Sequence, residues 1–229
     1  MDVLYFLDCR AAFIRQFYAA ASAPFLERKR KINAQQEPFI PPYSEDGEPP
    51  FLDEYTEADE SLNVLAYSCI SMLASALHLF LQEWSQQSGD TVDKSLKPVS
   101  KAKGWLARYN VYYTEHFGIS FENGPANVEV LEEIVLARNC VQHPRSIVDQ
   151  KTQYLASDMK KLRHPLFVSE TEMALLGPFL DNEVPGFMTP SVHVTEPQLL
   201  HAISEIERFA KWFDGEIRAA ADSTMKCDA

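Results

Sequence analysis

The sequence predicts an all-α protein, an antiparallel four-helix bundle with an additional N-terminal helix and short irregular or β insertions before the last helix. Glycine is sparse, with 8 in 229 residues. Alternating β-branched runs are few, and long stretches rich in Leu, Ala, Glu and Lys place their apolar residues three and four apart, as a helix requires. At 46% hydrophobic content the chain can fill one sizeable core, and it is read as one domain over 1–229. Within it lie an N-terminal helix (1–34), an acidic Pro-rich arm (35–55), the bundle core (56–215) and a tail (216–229). There is no internal repeat.

The first helix spans roughly 3–31, with Val3, Phe6, Leu7, Ile14, Phe17, Tyr18 and Ala21 at helical spacing and Pro24 as a potential break. It ends in ERKRKI, where cations suit a helix C-terminus. The stretch 35–55 carries five prolines among acids and reads as a linker or extended surface arm, pinned down at Phe39, Ile40, Phe51 and Leu52. The strongest helix follows from about Thr56 to Trp84, with Thr56 and Asp59 resembling a capping pattern. Leu62, Leu65, Ala66, Cys69, Leu73, Ala76, Leu77, Phe80, Leu81 and Trp84 trace its wide apolar face.

An aromatic helix over 101–117 is closed by Gly118 as a left-handed cap. Asn127 then caps a helix running to His143, where Pro144 discourages continuation. The region 147–194 gives a helical pattern in VDQKTQYLASDMKKL and short strands or loop in FVSETEM and SVHV. Thr195 and Gln198 form a capping box for the last helix, whose face is lined by Leu199, Ile203, Ile206, Ala210 and Phe213.

The formal net charge is −12, which disfavours nonspecific binding to nucleic acid, since that affinity comes from Lys and Arg on phosphates. Charge is nonetheless segregated: between Arg138 and His164 there are six Lys or Arg against two acids. The four cysteines lack the paired spacing of a metal site; Cys69 and Cys140 read as small core residues, and no metal or other cofactor is expected. The N-terminal MDVLYFLDCRAAF lacks a basic leader and is interrupted by Asp8 and Arg10, so no signal peptide is expected. No uninterrupted apolar stretch reaches about 18 residues. A soluble, cytoplasmic protein without membrane contact is the expectation.

Polar residues crowd the end of the fourth of these helices, in VLARNCVQHPRS (135–146). On a wheel at about 100° per residue, Val130, Ala137 and Val141 fall on one side of Ile134 and Leu131 on the other, and Arg138 lies inside that apolar sector. A buried guanidinium demands an acid partner, a route to water along its stem, or a cleft. Asn139 and His143, four apart, share a face well away from Arg138. Arg138 and His143 therefore meet only if the last turn distorts near Pro144, if the arginine wraps around, or if a second chain supplies one of them. The plain alternative is a histidine complementing the helix dipole beside an arginine that bridges to a neighbouring helix.

RNCVQH at the end of a helix that follows an aromatic helix and a Gly/Asn/Pro turn resembles the HEPN superfamily (higher eukaryotes and prokaryotes nucleotide-binding domain), in its RNxxxH form. YSCISMLASALHLFLQEW, GWLARYNVYYTEHFGI and AISEIERFAKWFDGEI extend the resemblance over about 56–215. It implies a homodimer with two Arg/His motifs in one cleft. It also implies metal-independent endoribonuclease activity, as in toxins and phage-defence effectors, with a possible antitoxin or regulatory partner.

The implied roles suit the residue types. His143 would take a proton from a ribose 2′-hydroxyl or give one to the leaving 5′-oxygen. Arg138 would stabilise charge on the phosphorane oxygens, and Asn139 would orient the phosphate or His143. Gln142 and Arg145 are candidates for binding substrate. The products would be a 2′,3′-cyclic phosphate and a 5′-hydroxyl. Some toxin members carry a modifiable tyrosine two positions after the histidine; here that position is Arg145. The alternative is a non-catalytic HEPN-fold module binding a nucleotide or a partner protein. His78 on the Leu-rich helix reads as structural and His116 as a cationic helix end, while His164, His193 and His201 make no metal pattern. Trp105, Tyr109, Tyr112 and Tyr113 read as packing residues that could also stack bases.

Overall fold

The computed structural model describes residues 2–41, 49–87, 92, 97–144, 152–180 and 189–227. The protein is all-α, and no strand occurs among the described residues.

Helix α1 (Val3–Asn33) begins at Asp2, whose carboxylate accepts the Tyr5 N–H at 3.1 Å. Val3, Leu7, Ala11, Ile14, Tyr18 and Ser22 are its buried residues, at the spacing that puts one stripe against a neighbour. That neighbour is α2 (Leu52–Gln87), packed along its length. Pro24 lies inside α1 and does not end it; one lost backbone donor is tolerated where α2 holds the helix on course. The basic end of α1 is tied to the acidic start of α2. Arg28 pairs with Glu57 at 3.0 Å, Lys29 pairs with Asp59, and the Lys29 ammonium sits 4.6 Å from the centre of the Tyr55 ring. Because α2 starts at Leu52, Thr56 is not its cap, and Asp59 serves this ion pair instead.

Ala66, Cys69, Ile70, Leu73, Leu77, Phe80 and Leu81 on α2 are at most 2% exposed. They are buried because α2 touches α1, α5 and α8. By length and composition α2 also meets the requirement for a membrane span, with 56% of its most apolar 18-residue window buried inside the protein. Ser and His interrupt the apolar run without adding Asp, Glu, Lys or Arg, so α2 passes on its average hydropathy although no uninterrupted apolar stretch of about 18 residues is present.

The expected aromatic helix over 101–117 divides into α3 (Lys97–Lys101) and α4 (Trp105–Phe117), parted at Gly104, whose φ of +89° only glycine adopts readily. Gly118 closes α4 in the left-handed conformation, φ 70° and ψ 15°. Tyr113 donates to the Leu81 carbonyl at 2.7 Å, and its ring meets Phe213 edge-on at 4.7 Å, joining α4 to α2 and α8. At Gly124 an added Cβ would lie 2.7 Å from the Trp212 ring, so the loop before α5 passes too close for a side chain.

Helix α5 (Val128–Gln142) is capped by Asn127, whose side chain accepts the Glu129 N–H at 3.0 Å. The Asn127 N–H in turn reaches Glu205 on α8 (Glu196–Cys227) at 2.8 Å. Beyond α5, the described chain holds α6 (Ala156–Met159), α7 (Glu170–Leu180) and one isolated antiparallel bridge between Gln153 and Ser191. FVSETEM, read as strand or loop, leads into α7, and among the described residues of VDQKTQYLASDMKKL, from 152 onward, the helical reading holds only for the single turn of α6. The Thr195 N–H and hydroxyl both reach Gln198 Oε1, at 2.8 and 2.9 Å, so the α8 cap rests on the glutamine arm of the expected box. Leu199, Ile203, Ile206, Ala210 and Phe213 are all fully buried. The helix runs on to Cys227, through what reads as a tail in sequence.

Segment 152–169 is held to α5 by carboxylates. Glu133, fully buried, accepts the Tyr154 hydroxyl at 3.0 Å and the backbone N–H groups of Leu166 and Phe167 at 2.5 and 2.7 Å. Burial pushes its pKa up, and these three donors oppose that rise. One turn earlier, Glu129 accepts the N–H groups of Arg163 and His164. Glu133→Ala strands a buried N–H, a part-buried N–H and a buried hydroxyl, each buried one costing about 1–3 kcal/mol when left unmade. Urea unfolding is expected to show a loss of about 3 kcal/mol or more. Glu132→Ala, which removes only the partly exposed pair with Lys161, is expected to cost less than about 1 kcal/mol.

Candidate functional site

The last turn of α5 carries the motif. Arg138 and Asn139 are half-buried, and Gln142 and His143 are exposed. His143 is the C-cap, at φ −127° and ψ 61°, and its N–H donates to the Asn139 carbonyl at 3.0 Å. The helix therefore ends where Pro144 requires it to end. Arg145 lies outside the described residues.

Arg138 resolves part of the conflict raised by its wheel position. Its Nη1 donates to Asn139 Oδ1 at 2.9 Å. Among the described residues no carboxylate is paired with it, although acids outnumber bases 33 to 21 in the chain. Among the described residues the guanidinium is thus anchored by a neutral amide and by no carboxylate. Asn139 turns its side chain toward Arg138, so its link to His143 is through the backbone alone. Five residues separate Arg138 from His143, about 140° around a helix axis, and no contact joins their side chains among the described residues.

A second helix faces the Arg138 end of α5. His78 on α2 is half-buried, one position past the fully buried Leu77. Its ring meets Trp105 edge-on at 4.8 Å and Tyr109 at 5.8 Å, both on α4. Trp105 is half-buried and Tyr109 is 7% exposed. The His78 pKa is lowered, first by burial and then by the positive charge of Arg138. Neither ring nitrogen of His78 has a hydrogen-bond partner among the described residues. His78 thus packs on the aromatic rings of α4, on a helix that also packs against α5. Sequence reading gave His78 a structural role because a lone histidine on an apolar helix carries no spacing signal. Tyr112 and Tyr113 are buried and serve packing.

An open groove of about 400 Å³ lies elsewhere, between the start of α1 and the end of α2, and includes Phe6, Arg10, Leu79 and Glu83 in its lining. None of the motif residues lines it. The chain matches no family model, no curated protein and no solved structure at a significant level.

The electrostatic origin of the His78 shift is directly measurable. An NMR titration of the His78 imidazole is expected to give a midpoint below the ordinary value of 6.5. Arg138→Gln is expected to move that midpoint up, because a neighbouring cation disfavours the protonated ring. An unchanged midpoint in Arg138→Gln would remove Arg138 from the surroundings of His78.

Proposed function

We propose that the chain is a metal-independent endoribonuclease of HEPN type, built on the HEPN four-helix arrangement and working as a homodimer. The observation that carries this reading is Arg138: a half-buried guanidinium, held by Asn139 and paired with no carboxylate among the described residues. An uncompensated, oriented guanidinium suits a phosphodiester, whose non-bridging oxygens it can meet with two parallel donors. His143 is exposed and fixed through its backbone at the helix end, so its ring is open to take or give a proton.

In the proposed reaction His143 accepts the proton of a ribose 2′-hydroxyl as that oxygen attacks the adjacent phosphorus. The bond to the 5′-oxygen breaks, and the leaving oxygen is protonated by an imidazolium or by water. Arg138 and Gln142 hold the phosphate, with Asn139 setting the guanidinium. The angular gap between Arg138 and His143 in one chain favours a composite site, Arg138 of one copy acting with His143 of the other.

A second reading, a nucleotide-binding module without catalysis, is favoured by Arg138 being held by Asn139 of the same chain, with no contribution from His143 needed to orient it.

Purified protein is expected to cut RNA in the presence of EDTA and to leave 2′,3′-cyclic phosphate ends. His143→Ala is expected to lower the rate by about 10²–10⁴-fold, the usual contribution of a general base; unchanged cleavage excludes His143. A composite site makes a sharper demand. When inactive Arg138→Ala and His143→Ala proteins are mixed and allowed to exchange subunits, about half the dimers are mixed and each has one intact site. About a quarter of the wild-type rate is expected to return, and no recovery excludes shared sites. Nucleotide binding without any cleavage by the wild type selects the module.

A further inference from the structure

The outward face of the α1–α2 pair is apolar where a solvated surface would carry charge. On α1, Phe6, Phe13 and Phe17 are 52%, 57% and 37% exposed. With Arg10 they fall three and four residues apart, one stripe along the helix. Phe13 and Phe17 stack at 6.1 Å with their rings 10° from parallel. On α2, Val64, Ser68, Met72, Ser75 and Leu79 follow the same spacing, with Val64 62% and Leu79 46% exposed. Between Glu60 and Glu83 that helix carries no Asp, Glu, Lys or Arg, outward positions included, in a chain that is 24% charged. The open groove between the start of α1 and the end of α2 joins the two stripes, since Phe6 and Arg10 line it together with Leu79 and Glu83.

Even the hydroxyls of the α2 stripe are satisfied within the helix. Ser68 donates to the Val64 carbonyl and Ser75 to the Ser71 carbonyl, each at 2.9 Å, so covering them strands no donor. Single exposed apolar residues are ordinary, whereas a contiguous patch marks a contact surface. The three phenylalanines leave about 300 Å² bare, from the roughly 200 Å² of each aromatic side chain. With Val64 and Leu79 added, the bare area approaches the apolar half of a stable interface, which buries about 800 Å² on each partner.

Charge chooses the occupant. Arg10 and Glu83 line the groove with opposite signs, and neither has an ion pair or a hydrogen-bond partner among the described residues. A two-fold axis running along the helices lays α1 of one copy over α2 of the other. Arg10 of each copy then faces Glu83 of its partner, and the phenylalanines meet the Ser68–Leu79 stripe, where the serines leave room for rings. A lipid surface is a poorer match. Helices that lie on membranes set Lys and Arg around their apolar face, whereas Arg10 is balanced here by Glu83 in a chain of net charge −12.

We propose that this chain forms a two-fold dimer through the outward face of α1 and α2, with α1 of one copy on α2 of the other. The arrangement gives a surface to the homodimer of the proposed function, yet it rests on α1 and α2 alone and stands whether or not the dimer cuts RNA.

Sedimentation of the full chain at micromolar concentration tests it. The wild type is expected at twice the mass of one chain. Phe13→Glu, a change at an exposed position, is expected to raise the dissociation constant by about 30-fold or more and to leave the far-ultraviolet dichroism unchanged. Arg10→Glu and Glu83→Arg are each expected to weaken self-association. An equimolar mixture of those two variants is expected to regain the dimer, because both contacts of the mixed pair are again Arg against Glu. A mixture that stays monomeric overturns the arrangement. A wild-type monomer overturns both this proposal and the homodimeric nuclease, and flotation of that monomer with phosphatidylcholine vesicles gives the face to a membrane instead. A dimer left intact by Phe13→Glu and by both charge reversals overturns this face alone and leaves the homodimer standing. The expected dimer in a protein that cuts no RNA removes the nuclease and keeps the interface.

Discussion

The structure depends on what α5 does with two groups that a buried helix should reject. Glu133 is fully buried and Arg138 is half-buried on the same fifteen-residue helix. An isolated buried charge is prohibitively costly, so each must find its compensation or use. Glu133 finds it in two backbone N–H groups and a tyrosine hydroxyl from 152–167. That contact fastens a long, weakly patterned segment to the middle of the protein. Tyr67 on α2 adds a second fastening through the Val192 carbonyl at 2.6 Å. Among the described residues Arg138 finds only Asn139, and that inequality is what sets the two ends of α5 apart.

Much of the helical frame is legible in the sequence because its cause is local. Asn127 caps α5 and Gly118 closes α4 as their types require, and the Leu199–Phe213 stripe buries on α8 as its period demands. The start of α2 is not legible in the same way: Thr56 and Asp59 have the spacing of a cap, but the helix runs back to Leu52, where the ion pairs with α1 and the Tyr55–Lys29 contact support an extra turn. Pro24 misleads for a related reason, since tertiary packing outweighs a local penalty. Segment 152–194 is opaque because its partners are distant: no periodicity announces that Glu133 will collect the N–H groups of Leu166 and Phe167.

The candidate site divides along the same line. Arg138, Asn139, Gln142 and His143 are visible as a polar cluster breaking an apolar wheel, and the anomaly of Arg138 is readable without any fold. His78 is not readable. Sixty residues part it from Arg138, and only the packing of α2 on α5 gives the pair meaning. Asn139 is half readable: its spacing to His143 is visible, while its side chain's turn toward Arg138 is a matter of rotamer and burial.

The acidity of the chain sharpens what such a site can do. At a net charge of −12 the protein as a whole repels a polyanion, and at physiological salt that repulsion is screened beyond about 8 Å. On the proposed reading, a phosphate at Arg138 feels mainly the local guanidinium, and the six Lys or Arg against two acids between Arg138 and His164 supply the nearest further cations in sequence. A site that cannot bind by charge alone must select by hydrogen bonds and shape. On that reading Asn139, the neutral group that sets the Arg138 guanidinium, matters as much to recognition as a further cation would.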